Sequence, residues 1–442
     1  MVENILLITV DSLRYDVSEP IDRVLPGDRQ SEADVFSRAY ATGPGTTPSF
    51  PAMLTGTLPL SHGGLGPLTG SRPGVSSFLR REGLRTGGFQ CNPFLSRHFN
   101  YDEGYDEFRD YQNPLMGIAT RVFPRGIEIN NPRLRRIDDV LHVTDAIKKS
   151  YQLVKGKPRP YVSAKVITDD TVEWLAEVDE PFFCWTHYMD VHHPCHPPEP
   201  YRENHGVGSV TQSEVSQLYS NLLQDSQSLT EDDIQDLKSL YRASIAYTYD
   251  QVERILDHLQ ASGQYDETLV VLTSDHGELF GEYGQYGKPE RMYDELLRVP
   301  LVVANGPETL ADATRDLVSL VDIPPVCHDA LGVDVPEEYV GQIPGKDEPR
   351  DVVLAEHEVE GDVIVGARSE NWLYEADEIE SEHRLFDLRD SGFERVDPDH
   401  PGGSTARDAV LARLDELDVT ANYLQGEMGD EIEDRLENLG YL

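Results

Sequence analysis

Asn4-Ile-Leu-Leu-Ile-Thr-Val-Asp11-Ser-Leu-Arg14 and Leu269-Val-Val-Leu-Thr-Ser-Asp275-His276-Gly-Glu278 decide the fold of this chain. Each is an unbroken apolar, β-branched run closed by an acidic residue. A strand apolar on both faces belongs in a parallel sheet covered by helices, whereas a half-wet strand would alternate. Phe182–Trp185 and Leu301–Ala304 share this texture. Helical segments separate the runs. The clearest spans about 231 to 262, with Leu237, Tyr241, Ile245, Thr248, Val252, Ile255, Leu256 and Leu259 on one stripe, Thr230 as N-cap and Gly263 beyond the end. Strands alternating with helices predict a doubly wound, mostly parallel α/β/α sandwich. Ligands bind such sheets beyond the carboxyl ends of the strands. Asp11, Asp275 and His276 fall there.

The 442 residues carry a net charge of −42, which excludes a general nucleic-acid-binding surface. Lys is scarce, at 148, 149, 155, 157, 165, 238, 288 and 346, while Arg is abundant. Such acid-rich, Lys-poor composition resembles proteins of salt-in halophiles, in which molar salt shortens the reach of self-repulsion to ~3 Å. Five of the eight lysines lie in a basic insertion at about 115–165, together with Arg121, Arg125, Arg133, Arg135, Arg136 and Arg159. A positive insert on a negative protein could recruit an anionic substrate, although a solvated insertion paired with acidic neighbours explains it as well. Cys91, Cys184, Cys195 and Cys327 are too far apart for a zinc ribbon and are read as free thiols. The apolar run at 5–8 is too short for a membrane span or a secretory segment, so no span and a cytoplasmic location are expected.

Asp11 and Asp275 each end a buried strand, where a carboxylate is costly unless paired, hydrogen-bonded or coordinated. With the His276 imidazole they form a mixed oxygen and nitrogen donor set. Oxygen-rich ligation favours Ca²⁺, Mg²⁺ or Mn²⁺, and the imidazole also admits Zn²⁺. Pro48 suits the first turn of a helix. The segment Gly45-Thr46-Thr-Pro-Ser-Phe-Pro-Ala-Met-Leu-Thr-Gly56 then puts the Thr46 hydroxyl beside free backbone N–H groups at the positive end of the dipole.

The order of these segments resembles the sulfatase branch of the alkaline-phosphatase superfamily. Thr-Ser-Asp-His-Gly-Glu278 continues through Gly284-Gln-Tyr-Gly-Lys288 to Leu297-Arg-Val-Pro-Leu301 much as in that family. Further likenesses are Asn100-Tyr-Asp-Glu-Gly-Tyr-Asp-Glu-Phe108, Leu320-Val-Asp-Ile-Pro-Pro325, His383-Arg-Leu-Phe-Asp-Leu388 and the tail Asp434-Arg-Leu-Glu-Asn-Leu-Gly-Tyr-Leu442. The resemblance implies an alkaline-phosphatase-like catalytic domain over 1–338 and a small α+β subdomain with an antiparallel sheet and an acidic helical tail over 339–442.

It also implies roles. The metal ligands would be Asp11, Thr46, Asp275 and His276, with Ser12 where many sulfatases carry a second Asp. Thr46 holds the position of the Cys or Ser that becomes formylglycine. Oxidising its secondary alcohol gives a ketone rather than that aldehyde, and Phe50 replaces the motif's Arg, so no formylglycine is expected. A Thr nucleophile instead resembles nucleotide pyrophosphatase-type phosphodiesterases and lipoteichoic-acid-synthase-like transferases. His192, in Met189-Asp-Val-His192-His-Pro-Cys-His196, would bind the anion or protonate the leaving oxygen. His187, His193 and His196 nearby are either loop histidines or parts of a second metal site. Lys288 would bind the ester oxygens, and Arg14 would assist or form an ion pair. The implied function is metal-dependent hydrolysis of a phosphate, phosphonate or sulfate ester of a small molecule or glycan. The alternatives are a phosphoglycerol- or phosphoethanolamine-type transferase and a non-catalytic binding protein.

The −42 charge generates a first prediction. The thermal unfolding midpoint should rise steadily between about 0.1 M and several molar KCl, as screening shortens from ~10 Å to ~3 Å or less. A midpoint indifferent to salt contradicts the halophilic reading.

Overall fold

A computed structural model describes residues 2–17, 21–25, 29–62, 67–111, 161–179, 181–224, 226–359, 362–377, 382–389 and 393–417. The basic insertion up to 160 and the tail from Asp434 lie outside the described residues. The first strands are β1 (Asn4–Val10), β2 (Asp34–Tyr40), β3 (Arg85–Phe89), β4 (Glu107–Arg109), β5 (Phe182–Tyr188) and β6 (Thr268–Ser274). A hairpin of β7 (Leu279–Phe280) and β8 (Tyr286–Gly287) follows, then β9 (Arg298–Ala304) and β10 (Val318–Ser319). Among the described residues the main sheet runs β10-β2-β9-β6-β1-β5-β3-β4.

Its pairs are parallel except where β9 lies antiparallel between β2 and β6. The cause is the connection. A parallel return needs a crossover element, usually a helix. Between β6 and β9 the described helix is only the four-residue Asp294–Leu297, so the chain doubles back. The run Leu301–Ala304 is buried as its texture predicts, but in the opposite direction from its neighbours.

β1 shows why uniform apolarity means a sandwich. Leu6, Ile8 and Val10 pack into one core and Ile5 and Leu7 into another, on opposite faces of the pleat. The second core is covered by α1 (Thr46–Thr55), through Phe50, Met53 and Leu54. Helices α2 (Ala164–Glu177) and α3 (Glu231–Ser262) cover the first. α3 starts at a reciprocal capping box between Thr230 and Asp233 and stops at Gly263, whose φ of 78° suits glycine. Its predicted stripe is buried from Leu237 to Leu259. Among the described residues no helix is long and apolar enough to cross a membrane.

A second sheet is antiparallel throughout: β11 (Val353–Val359), β12 (Asp362–Arg368), β13 (Trp372–Asp377), β14 (Glu382–Asp387) and β15 (Glu394–Val396). One face packs Val353, Ala355, Ile364 and Leu373 against Tyr40, Met292, Leu297 and Leu317 of the main body. A helix at 404–417 covers the other face through Ala406 and Val410.

Glu356 is the polar rivet of this junction. Its backbone N–H donates to Thr42 O, and its fully buried carboxylate accepts from the Leu60 N–H at 2.7 Å and from Arg413 Nε at 2.5 Å. Arg413 in turn reaches Ser61 Oγ. Removing one member of a buried pair leaves the other charge stranded. Glu356→Ala should therefore cost about 3–5 kcal/mol in urea unfolding, and Glu356→Gln less, because it keeps a buried acceptor. A loss below about 1 kcal/mol, as for exposed pairs, would show that the rivet is not structural.

Candidate active site

The parallel register builds the site. Val10 pairs with Ser274 on one side and Tyr188 on the other, so Asp11 and Asp275 leave neighbouring strands level with each other. Strands lie ~4.8 Å apart. Ser12 stitches the two ends together: its N–H donates to Asp275 Oδ1 at 3.2 Å and its hydroxyl to Asp11 Oδ1 at 2.8 Å. This requires a φ of 61° at Ser12, a left-handed conformation costing about 1–2 kcal/mol in a non-glycine residue. Tyr241 of α3 holds that turn, donating to Ser12 O at 2.6 Å and accepting from the Arg14 N–H at 2.9 Å. Ser12 thus orients both carboxylates, a second-Asp position turned into a positioning one.

α1 is seated on the same strand end. Ser49 Oγ donates to Asp275 O at 2.6 Å, and Phe50 packs its ring 4.8 Å from His187 and 5.6 Å from Trp185. Phe50 is therefore core, and its position supplies no cation. Thr46 is the first residue of α1; the N-cap is Gly45, without a side-chain cap bond, so the Thr46 hydroxyl is not used in capping. Its Oγ1 lies 3.3 Å from His276 Nε2.

His276 Nδ1 donates to Gly277 O at 2.7 Å, which leaves Nε2 as a lone pair. That nitrogen is 3.4 Å from Asp275 Oδ2 and 3.7 Å from Asp11 Oδ1. Gly277 is obligatory in this turn, since a Cβ there would meet Glu295 O at 1.9 Å.

Do these residues fit a divalent cation? Asp11, Asp275 and His276 can bring one ligand atom each to within 4.8 Å of one another, and all three are buried. Asp275 Oδ2 has no hydrogen-bond partner. Burial and the Asp11 charge drive the Asp275 carboxyl well above the usual range. Burial also pushes Asp11 up, but the surrounding imidazoles and the Lys288 ammonium outweigh it and hold Asp11 well below. Two such carboxylates cannot both ionise without a positive charge between them. The gaps of 3.3–3.7 Å are too long for good hydrogen bonds. They match ligands on one cation, since bonds of about 2.0–2.1 Å put tetrahedral ligands about 3.3 Å apart. The residues fit the group.

Three orienting groups were not predicted. Asn92 Nδ2 donates to Asp11 Oδ2 at 3.0 Å while its Oδ1 accepts from the Phe94 N–H. His187 is not a loop histidine: it lies inside β5, fully buried, with Nδ1 2.9 Å from Thr9 Oγ1 and Nε2 3.5 Å from Asp11 Oδ2. Glu278, also fully buried, holds His193 Nδ1 at 2.6 Å. An imidazole in the middle of an otherwise apolar strand was the signal for His187. An Asn-Pro step after Arg85–Phe89 was the signal for Asn92.

Arg14 takes the ion-pair reading, and His192 meets Lys288. Arg14 does not face the cleft. It is nearly buried and bidentate on Asp16 at 2.7 and 2.8 Å, and it also reaches Glu282 Oε1 at 2.8 Å and Glu278 O at 3.1 Å. Its charge is spent bracing the 278–282 turn. His192 donates Nδ1–H to His193 O at 2.6 Å and accepts at Nε2 from Lys288 Nζ at 2.8 Å. Burial, then the Lys288 charge, push its pKa down to about 3. In this geometry the Nε2 lone pair of His192 faces the Lys288 ammonium. It holds Lys288, which carries the charge. Thr46, His192 and Lys288 do come together on the wall of one cleft of about 410 Å³, with Asn92.

A family model described as Sulfatase matches residues 3–333. An uncharacterized sulfatase of Escherichia coli K12 is 29% identical over 355 residues, covering 75% of this chain and 68% of that protein. The low-salt glycan biosynthesis sulfotransferase Agl7 of Haloferax volcanii is 24% identical over 337 residues, covering 75% of this chain and 62% of that protein. The chain thus spans about two thirds of these relatives' lengths. Among solved structures, a phosphonate monoester hydrolase of Agrobacterium radiobacter matches with a TM-score of 0.63 at 20% identity, covering 94% of this chain and 95% of the other. A sulfatase from Bacteroides fragilis matches with a TM-score of 0.65 at 16% identity over 94% and 96%. These two likenesses are of fold.

The geometry predicts the order of losses on mutation. By calorimetry with Mn²⁺ or Ca²⁺, Asp275→Asn and Asp11→Asn should each weaken cation binding by at least ~10²-fold. Asn92→Ala, which removes only an orienting bond, should weaken it by ~10-fold or somewhat more. Equal affinity in wild type and Asp275→Asn would place the cation elsewhere.

Proposed function

The chain belongs to the sulfatase family, an ester hydrolase of the sulfate or phosphate class, and we propose that Thr46 is its nucleophile and Asp11, Asp275 and His276 its cation ligands. The observation that carries this reading is the convergence of the Thr46 hydroxyl, the His276 lone pair and the unpartnered Asp275 oxygen at one strand end. A divalent cation bound there lowers the pKa of an adjacent hydroxyl and neutralises charge on the ester oxygens.

The chain's own groups do the rest. Thr46 Oγ1 loses its proton to solvent and forms the new bond to phosphorus or sulfur. The ester's alcohol oxygen leaves with the bonding pair and takes a proton from solvent. Lys288, held by His192 on the cleft wall, is the ammonium placed to compensate charge on the ester oxygens. The amides of Thr46 and Thr47 at the start of α1 have no intrahelical acceptor and point the positive end of the dipole at the same anion. Water then splits the threonyl ester and frees Thr46. Ionic strength should modulate this little at the buried ligands.

Transfer to a second alcohol instead of water is a second reading, favoured by the Haloferax relative, which is described as a sulfotransferase. The two differ only in what attacks the threonyl ester, so adding candidate alcohol acceptors and looking for a new ester separates them.

Chelation should abolish turnover of aryl phosphate, phosphodiester, phosphonate and sulfate esters in high salt, and divalent cations should restore it. Thr46→Ala should lose at least ~10²-fold in kcat, the usual scale for removing one such contribution. Thr46→Ser should keep part of the activity. Acid quench after brief reaction should trap phosphate or sulfate on the Thr46 peptide, and intact mass should show Thr46 otherwise unmodified. Wild-type turnover by Thr46→Ala would replace covalent catalysis with direct attack by water.

A further inference from the structure

Lys288 serves an anion only if its charge is both held still and left unspent. A lysine stem is flexible, and a carboxylate that fixed it would cancel its charge. Its partner is instead the lone pair of a neutral imidazole, His192 Nε2, 2.8 Å from Lys288 Nζ. An ammonium has three donors, so N–H groups remain for an incoming oxygen. Whatever fixes His192 therefore decides where the charge stands.

Four residues close a ring around this point. His192 donates Nδ1–H to His193 O at 2.6 Å, and the two imidazoles pack with centroids 4.3 Å apart. Tyr219 stacks on the His193 ring at 6.0 Å and 19°. His193 Nδ1–H donates to Glu278 Oε1 at 2.6 Å. Glu278 is fully buried and its Oε2 has no hydrogen-bond partner among the described residues, so His193 is the side chain that satisfies this carboxylate. The ring returns to Lys288 through the backbone. In the β7–β8 hairpin Leu279 pairs with Gly287, which puts Glu278 and Lys288 one step outward on its two arms. Arg14 pins the same end by donating to Glu278 O at 3.1 Å. Two imidazoles thus stand between the anchoring carboxylate and the ammonium. Lys288 is located without being neutralised.

We propose that His193, anchored by Glu278, is a positioning residue for anion binding: it fixes His192, and His192 fixes Lys288. The inference rests on the hydrolase reading above, in which Lys288 meets the ester oxygens. His192 and Lys288 line the cleft and His193 does not, so His193 acts on an anion only through them. Losing it sets a charge adrift without removing one.

The test is a double-mutant cycle between positions 193 and 288. Calorimetry measures inorganic phosphate and sulfate binding to the Mn²⁺-loaded protein in high salt, and Mn²⁺ binding alongside. A partner one step behind a binding group is commonly worth ~10-fold or more, so His193→Ala should weaken anion binding by about tenfold. It should do so with Mn²⁺ affinity unchanged, and should have no further effect in Lys288→Ala. Because His193→Ala strands a buried carboxylate, the same cycle is run with His193→Asn. That variant keeps a donor near the place of Nδ1 but loses the ring against His192, so its loss should be smaller and should also vanish in Lys288→Ala. For 4-nitrophenyl phosphate and sulfate the His193 variants should lose kcat/KM chiefly through KM. A loss that persists in Lys288→Ala, one confined to kcat, or one matched by a fall in Mn²⁺ affinity overturns the positioning role. Unchanged anion binding in both His193 variants beside a weakened Lys288→Ala overturns it too, and leaves the hydrolase reading standing. Wild-type anion affinity in Lys288→Ala removes Lys288 from the site and overturns both.

Discussion

The structure depends on the repulsion between two carboxylates that cannot reach water. Asp11 and Asp275 are fully buried at the ends of adjacent parallel strands, level with each other because the strand register makes them so. The nearby imidazoles and Lys288 favour the charge on Asp11, while burial and the Asp11 charge still push the Asp275 carboxyl up. The elements around them make sense as responses to this constraint: a strained serine that donates to both, an asparagine and a histidine on the outer oxygen of Asp11, and an imidazole whose free lone pair faces inward. A divalent cation would resolve the repulsion, and the Thr46 hydroxyl lies at the edge of the same cluster.

Departures from the family pattern have local physical reasons. Ser12 stands where many sulfatases carry an acidic ligand, and it serves by orienting the two carboxylates through its amide and hydroxyl. Phe50 stands where the motif carries arginine, and it fills the core against Trp185 and His187. Both changes remove charge from around the nucleophile position. Among the described residues, the positive charge that lines the cleft is Lys288, held by a neutral His192. A lysine is a compact point charge that suits an anion of varied geometry. The second sheet is tied to the same region, because Glu356 clamps β11 to the segment at 42–61.

The sequence by itself determined the architecture and picked out the Asp11, Asp275 and His276 cluster. Unbroken apolar runs at Asn4–Val10 and Thr268–Ser274 have nowhere to go but the middle of a covered sheet, and a carboxylate following such a run must be coordinated or paired. The long helix was legible to its caps, because Thr230 and Gly263 act locally. Local signals also placed Thr46 at a helix start.

Only the tertiary structure decided the rest. The direction of β9 depends on what the connection after β6 does in space, which apolar texture does not encode. Arg14 and His192 have the chemistry of anion binders, yet Arg14 is held by Asp16 and by Glu282, distant in sequence, and His192 by Lys288. His187 and Asn92 were missed for the same reason. Each is defined by what stands opposite it across a strand, and that proximity is made by packing, not by spacing along the chain.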